Sequence, residues 1–162
     1  MVKLKFYEPK DFPGVSYILD ELQSQYTATA EQALQKIEER SDTLAFPITI
    51  LENHHPAGFF VLDFGNDKLD LTDNQNSTLL RSLSINPESQ GKGIGKAAMI
   101  LLDEFVREHF KDCSEIVLAV NQNNSSAYEL YLKVGYKFDG KTRMGRSGIQ
   151  YLMYKKIVKQ NF

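Results

Sequence analysis

The segment Gln90-Gly91-Lys92-Gly93-Ile94-Gly95-Lys96 constrains this chain more than any other, because a β-branched run leads into it and an amphipathic helical run leads out. Glycines without Cβ let main chain approach a ligand, successive N–H groups converge on an anion, and the following helix adds the positive end of its dipole. Lys92 and Lys96 add charge. The pattern predicts a phosphate cradle between a strand and a helix, and hence an α/β arrangement.

Counting excludes two familiar phosphate motifs. A P-loop needs glycine where Gln90 stands and Ser or Thr where Ala97 stands. The dinucleotide fingerprint needs its third glycine at Lys96, and it opens a βαβ unit, whereas this loop lies mid-chain after an antiparallel-looking region.

The hydrophobic periodicity orders the remaining elements. Lys3 to Glu8 alternates as a strand, and Val15, Ile18, Leu19, Leu22 and Tyr26 recur at helical spacing. Thr29 and Gln32 fit a capping box at the head of a second helix that ends near Ser41. Leu44 to Glu52 and Ala57 to Phe64 form a hairpin. Gly65 to Ser77 reads as a polar connection with a short strand extension around Leu69 to Leu71. Leu79 to Ile85 is a strand closed by Pro87, and Ile94, Ala98, Leu101, Leu102 and Phe105 mark the helix after the loop. Glu115 to Val120 follows that crossover helix and so runs parallel to the strand before it, a pair able to splay. A last helix begins at Asn124-Ser125-Ser126 and stops at Gly135, and strands Tyr136 to Lys141 and Ile149 to Ile157 flank a turn over Thr142 to Gly148.

At 162 residues and 42% apolar content the chain supports one domain, residues 1–162. A balance of 19 basic and 21 acidic residues, without a cationic cluster, excludes a nucleic-acid partner. No apolar run reaches the ~20 residues of a membrane span, and the charged start is unlike a signal peptide, so a cytoplasmic protein with no membrane partner is expected. His54 and His55 sit in a polar turn and His109 on a helix end, which leaves no metal site. Cys113 is an ordinary thiol.

Two separated motifs give this order of elements a family. Ile85-Asn86-Pro87-Glu88-Ser89-Gln90-Gly91-Lys92-Gly93-Ile94-Gly95 fits a strand, a proline and Gln/Arg-x-x-Gly-x-Gly/Ala. Asn124 to Tyr136 fits Asn-x-x-Ala-x-x-Leu-Tyr-x-Lys-x-Gly-Phe/Tyr. The chain resembles the GNAT superfamily of acyl-CoA-dependent N-acetyltransferases, most strongly from Leu79 to Tyr136. The resemblance implies an α/β (α+β) single domain in the order β-α-α-β-β-β-α-β-α-β-β, its mixed, mostly antiparallel sheet opened by a splayed parallel pair, the fourth and fifth strands.

The resemblance also assigns roles. Loop amides of Gln90, Gly91, Lys92, Gly93, Ile94, Gly95 and Lys96 would hold the pyrophosphate of acetyl-CoA, and main chain at Leu83 and Ile85 the pantetheine arm. Asn124 and Ala127 would contact the cofactor, Asn124 equally reading as a helix cap. Tyr131 would protonate the departing thiolate. The acceptor would be the amine of a small molecule or peptide, in a pocket near Ser24, Gln25, Tyr26, Tyr151 and Thr142 to Gly148, and a homodimer through the terminal strands is plausible in such a family. Asp67, Asp70 and Asp73 would attract a cationic amine or merely be solvated, while Arg143 and Arg146 argue for an acceptor carrying an anion. Glu88, in the loop, reads as solvated, and the general base is unassigned. The alternative is a non-catalytic acyl-CoA-binding sensor or docking module, which needs the cradle but no proton donor.

Overall fold

A computed structural model describes residues 1–158. Seven strands form one sheet in the order β1-β2-β3-β4-β5-β7-β6. They are β1 (Val2–Phe6), β2 (Ala45–Glu52), β3 (His55–Asp63), β4 (Ser77–Ile85), β5 (Glu115–Asn121), β6 (Lys137–Gly145) and β7 (Gly148–Lys156). The helices are α1 (Phe12–Val15), α2 (Glu21–Tyr26), α3 (Ala30–Glu39), α4 (Ile94–His109) and α5 (Ser125–Lys133). All pairings are antiparallel except β4 with β5. This is the expected mixed sheet with its single parallel pair.

Each face of the sheet has its own core. On one, Ile48, Ile50, Phe60 and Leu62 pack with Ala98, Met99, Leu102 and Val106 of α4. On the other, Phe59 and Val61 pack with Val15, Ala30 and Ala33. Strand alternation sends Phe59 and Phe60 to opposite faces, so each helical layer has an aromatic anchor.

Three local expectations are corrected. The continuous helix from Val15 to Tyr26 is broken: residues 16–20 leave the helix, and Asp20 accepts the Gln23 N–H at 2.9 Å to cap a separate α2. The break lets the Tyr17 hydroxyl reach the Ser84 carbonyl at 2.9 Å and the Ser84 hydroxyl at 2.7 Å. The strand extension around Leu69 is instead a 3-10 turn, Asn66–Asp70. Buried Lys68 winds it by donating to the carbonyls of Phe64, Gln75 and Ser77 at 3.2, 2.8 and 3.0 Å. The closing hairpin is tighter than Thr142 to Gly148, since Gly145 pairs with Gly148 and only Arg146 and Ser147 turn.

A buried carboxylate ties the N-terminal segment to the sheet. Asp11 accepts from Lys5 Nζ at 2.8 Å, the Glu8 N–H at 2.9 Å and the Thr49 hydroxyl at 3.1 Å. Burial pushes the Asp11 carboxyl up, but the bonds from Lys5, Glu8 and Thr49 outweigh it and hold the group below its ordinary 3.8. Asp11→Ala should therefore destabilise the fold by about 2 kcal/mol in urea titration at neutral pH. A carboxyl depressed on folding stabilises above its unfolded value and loses that contribution as pH falls through its folded value. Wild type and variant should converge in acid.

Candidate active site

β4 and β5 pair only at Ser77↔Glu115, Thr78↔Ile116 and Leu79↔Val117. Beyond Leu79 the strands part. Ser82, at φ +60°, falls where the β3–β4 register shifts, and this bulge re-aims the free stretch of β4 along the gap. Asn86 sends its N–H back to the Ala57 carbonyl of β3. By strand alternation the main-chain groups of Leu83 and Ile85 face the gap.

The gap opens into a cleft of about 1410 Å³. Leu83, Ile85, Gln90, Gly91, Gly93, Ile94, Gly95, Lys96, Asn124, Ala127 and Tyr131 all line it, brought together from two distant segments. Lys92 does not line the cleft, and its ammonium lies 3.8 Å from Glu52. Of the expected acceptor residues, Gln25, Tyr26 and Arg143 to Ser147 line it, whereas Ser24, Thr142, Gly148 and Tyr151 do not. Tyr151 instead stacks on Phe138 with ring centroids 4.4 Å apart.

Gly91 and Gly93 adopt φ of +80° and +74°, and a Cβ at either would point into open space. Gly93 is the N-cap of α4, so the first amides of a 16-residue helix face the loop. Lys96 adds its charge in the first turn. Such an arrangement of N–H groups, dipole and ammonium fits a diphosphate.

Tyr131 is fixed from below. Gly135, at φ +100°, ends α5 with the Tyr136 N–H on the Tyr131 carbonyl at 2.9 Å and the Gly135 N–H on Leu132 at 3.1 Å. This Schellman pattern brings the Tyr136 ring against Tyr131, with centroids 5.5 Å apart. Tyr131 is only 8% exposed yet borders the cleft. Burial pushes its phenol well above the ordinary 10.0, so it holds its proton at any physiological pH. Asn124 accepts the Ala127 N–H at 3.4 Å as cap of α5, and its neighbour Asn121 donates to Ser147 at 3.0 Å, tying β5 to the β6–β7 turn.

At the far end of the cleft two arginines are paired with aspartates. Arg81 bridges Asp63 at 3.1 Å and Asp67 at 3.0 Å, and Arg143 lies 3.9 Å from Asp70. Sequence periodicity gave no sign of Arg81, Asp63 or Gln23 in this cleft, since all three are placed by tertiary pairing. An arginine in a strand otherwise rich in Leu was the one available hint.

The profile of the Acetyltransferase (GNAT) family matches residues 15–136. The chain belongs to the GNAT family. A Bacillus subtilis (strain 168) protein named "Uncharacterized N-acetyltransferase YbbJ" is 35% identical over 155 residues, covering 94% of this chain and 96% of that one. A structure of AAC(6')-Ib with Parmomycin and AcetylCoA superposes with TM-score 0.76 at 17% identity, over 96% of this chain and 93% of that one. The spermidine N-acetyltransferase of Vibrio cholerae, with CoA and spermine, gives 0.72 at 16% identity, over 96% and 95%. At those identities the two structures establish the fold. As a GNAT protein the chain is an acetyl-CoA-dependent N-acetyltransferase.

Proposed function

We propose that this domain, residues 1–162, transfers the acetyl group of acetyl-CoA to a primary amine of a small molecule or peptide by direct attack. The observation that carries the reading is that a glycine cradle, an open strand edge and a buried phenol that holds its proton until a base accepts it border one cleft. Amides of residues 90 to 96 hold the diphosphate, and Leu83 and Ile85 offer main chain to the pantetheine arm. The uncharged amine attacks the acetyl carbonyl, the Leu83 N–H stabilises the tetrahedral oxyanion, and as the C–S bond breaks Tyr131 protonates the leaving thiolate, its phenolate recovering the proton that the attacking nitrogen sheds. A free primary amine has pKa ~10.4 and must first lose a proton. Of the described carboxylates lining the cleft, Asp63 is bound to Arg81 and Asp20 is occupied by the Gln23 N–H. Water is therefore the proton's first acceptor in this scheme.

The paired aspartates also bear on the acceptor. Asp67 and Asp70, placed beside Arg81 and Arg143, present little free negative charge to a polycation. Spermidine and an aminoglycoside, named for structural neighbours, belong in an amine panel beside a peptide with a free N-terminus. Incubation with acetyl-CoA and this panel should release free thiol with at least one amine. Binding of acetyl-CoA without turnover on a broad panel would favour the sensor or docking module. A cytoplasmic location and a homodimer through the terminal strands complete the proposal, and light scattering tests the second.

A further inference from the structure

Gln23, on α2, uses its side chain as a substitute for a strand. Its Nε2 donates to the Ile85 carbonyl at 3.0 Å, and the Ile85 N–H donates to its Oε1 at 2.9 Å. The two bonds reproduce the exchange that a neighbouring strand would make with β4, at a position β5 has already left behind. Gln90 also reaches the Ile85 carbonyl, at 3.4 Å.

We propose that Gln23 is a displaceable stopper of the β4 edge: its carboxamide and the pantetheine arm compete for Ile85, so entry of the acyl carrier ejects Gln23 and moves α2. The proposal rests on the reading that the arm pairs with β4. One N–H makes one good hydrogen bond, so the Ile85 amide cannot serve both partners. Little else restrains α2. It is six residues long with no buried residue. Its other ties outside its own turn are weak, the nearest being the Ser147 hydroxyl donating to the Gln25 carbonyl at 3.4 Å. Gln25 and Tyr26 line the acceptor end of the cleft. Displacement of Gln23 therefore reshapes the acceptor wall when the thioester arrives, and couples the two substrates.

Calorimetry on the full chain separates this role from simple bracing. The probes are CoA and adenosine 3′-phosphate 5′-diphosphate, which carries the diphosphate but no pantetheine. Gln23→Ala should bind CoA about tenfold more tightly, the worth of roughly one net hydrogen bond, and bind the nucleotide as wild type does. Gln23→Glu keeps an acceptor for the Ile85 N–H but repels its carbonyl, so it should fall between. An unchanged or weakened CoA affinity in Gln23→Ala overturns the proposal. Hydrogen exchange on the wild type gives a check that needs no variant: CoA should protect the Ile85 amide while exposing those of Gln23 to Tyr26. Protection of both segments would likewise overturn it. If wild type binds no CoA at all, the failure lies with the acetyltransferase reading instead.

Discussion

Tyr131→Phe should lower kcat about a hundredfold, the lower range of a general acid's contribution, while the Kd for acetyl-CoA stays within about twofold of wild type. The substitution removes one oxygen from a ring that keeps its place, because the α5 terminus is locked by the Gly135 cap and by packing against Tyr136. Tyr136→Phe is the matched control. Its buried hydroxyl has no hydrogen-bond partner among the described residues, so its removal should leave kcat unchanged and stability equal or higher. Burial also fixes the pH response. Because the Tyr131 phenol lies well above 10.0, the rate should climb as the acceptor amine loses its proton and show no descending limb below that pH. Equal losses in kcat and in CoA affinity would reduce Tyr131 to a packing residue.

Gly93→Val should weaken CoA binding about a hundredfold in calorimetry, through left-handed strain of ~1–2 kcal/mol and loss of the cradle's shape. At φ +74° a β-branched residue must either hold that strain or relax the loop, and a relaxed loop no longer aims its amides at one point. Nothing lies within 4 Å of the added Cβ, so no core contact is disturbed and the urea midpoint should fall by no more than that strain accounts for. Gly95→Ala provides the contrast. Its Cβ would rest 3.7 Å from Ile85 and 3.8 Å from Leu130, an ordinary contact, in a helical position that favours alanine. That variant should gain stability and bind CoA as wild type does. Wild-type affinity in Gly93→Val would take the loop out of the ligand's path.

What the sequence disclosed follows the range of the forces involved. The Thr29 and Gln32 box is a matter of three residues and appears as read, with reciprocal bonds of 3.0 and 3.1 Å. The glycine loop, the proline that closes β4 and the glycine that stops α5 are likewise local, and the crossover rule orients β5 from α4 alone. Failures occur where a partner lies far along the chain. Tyr17 leaves the helical path for Ser84, 67 residues away. Gln23 answers Ile85 at a separation of 62, and nothing in the spacing of a glutamine announces that it will imitate a strand. Lys68 looked like one more polar connection residue until three carbonyls enclosed it. The tight final turn was hidden by Thr142 and Arg143, whose polarity resembles that of a loop although they continue β6.

The short parallel contact between Ser77–Leu79 and Glu115–Val117 sets stability and turnover against each other. A fourth rung would knit the halves of the molecule together and, by the same stroke, narrow the opening where the proposed thioester site lies. Hardening this seam by directed evolution should therefore yield sturdier but idle proteins, and thermostable active variants should owe their gains to other parts of the molecule.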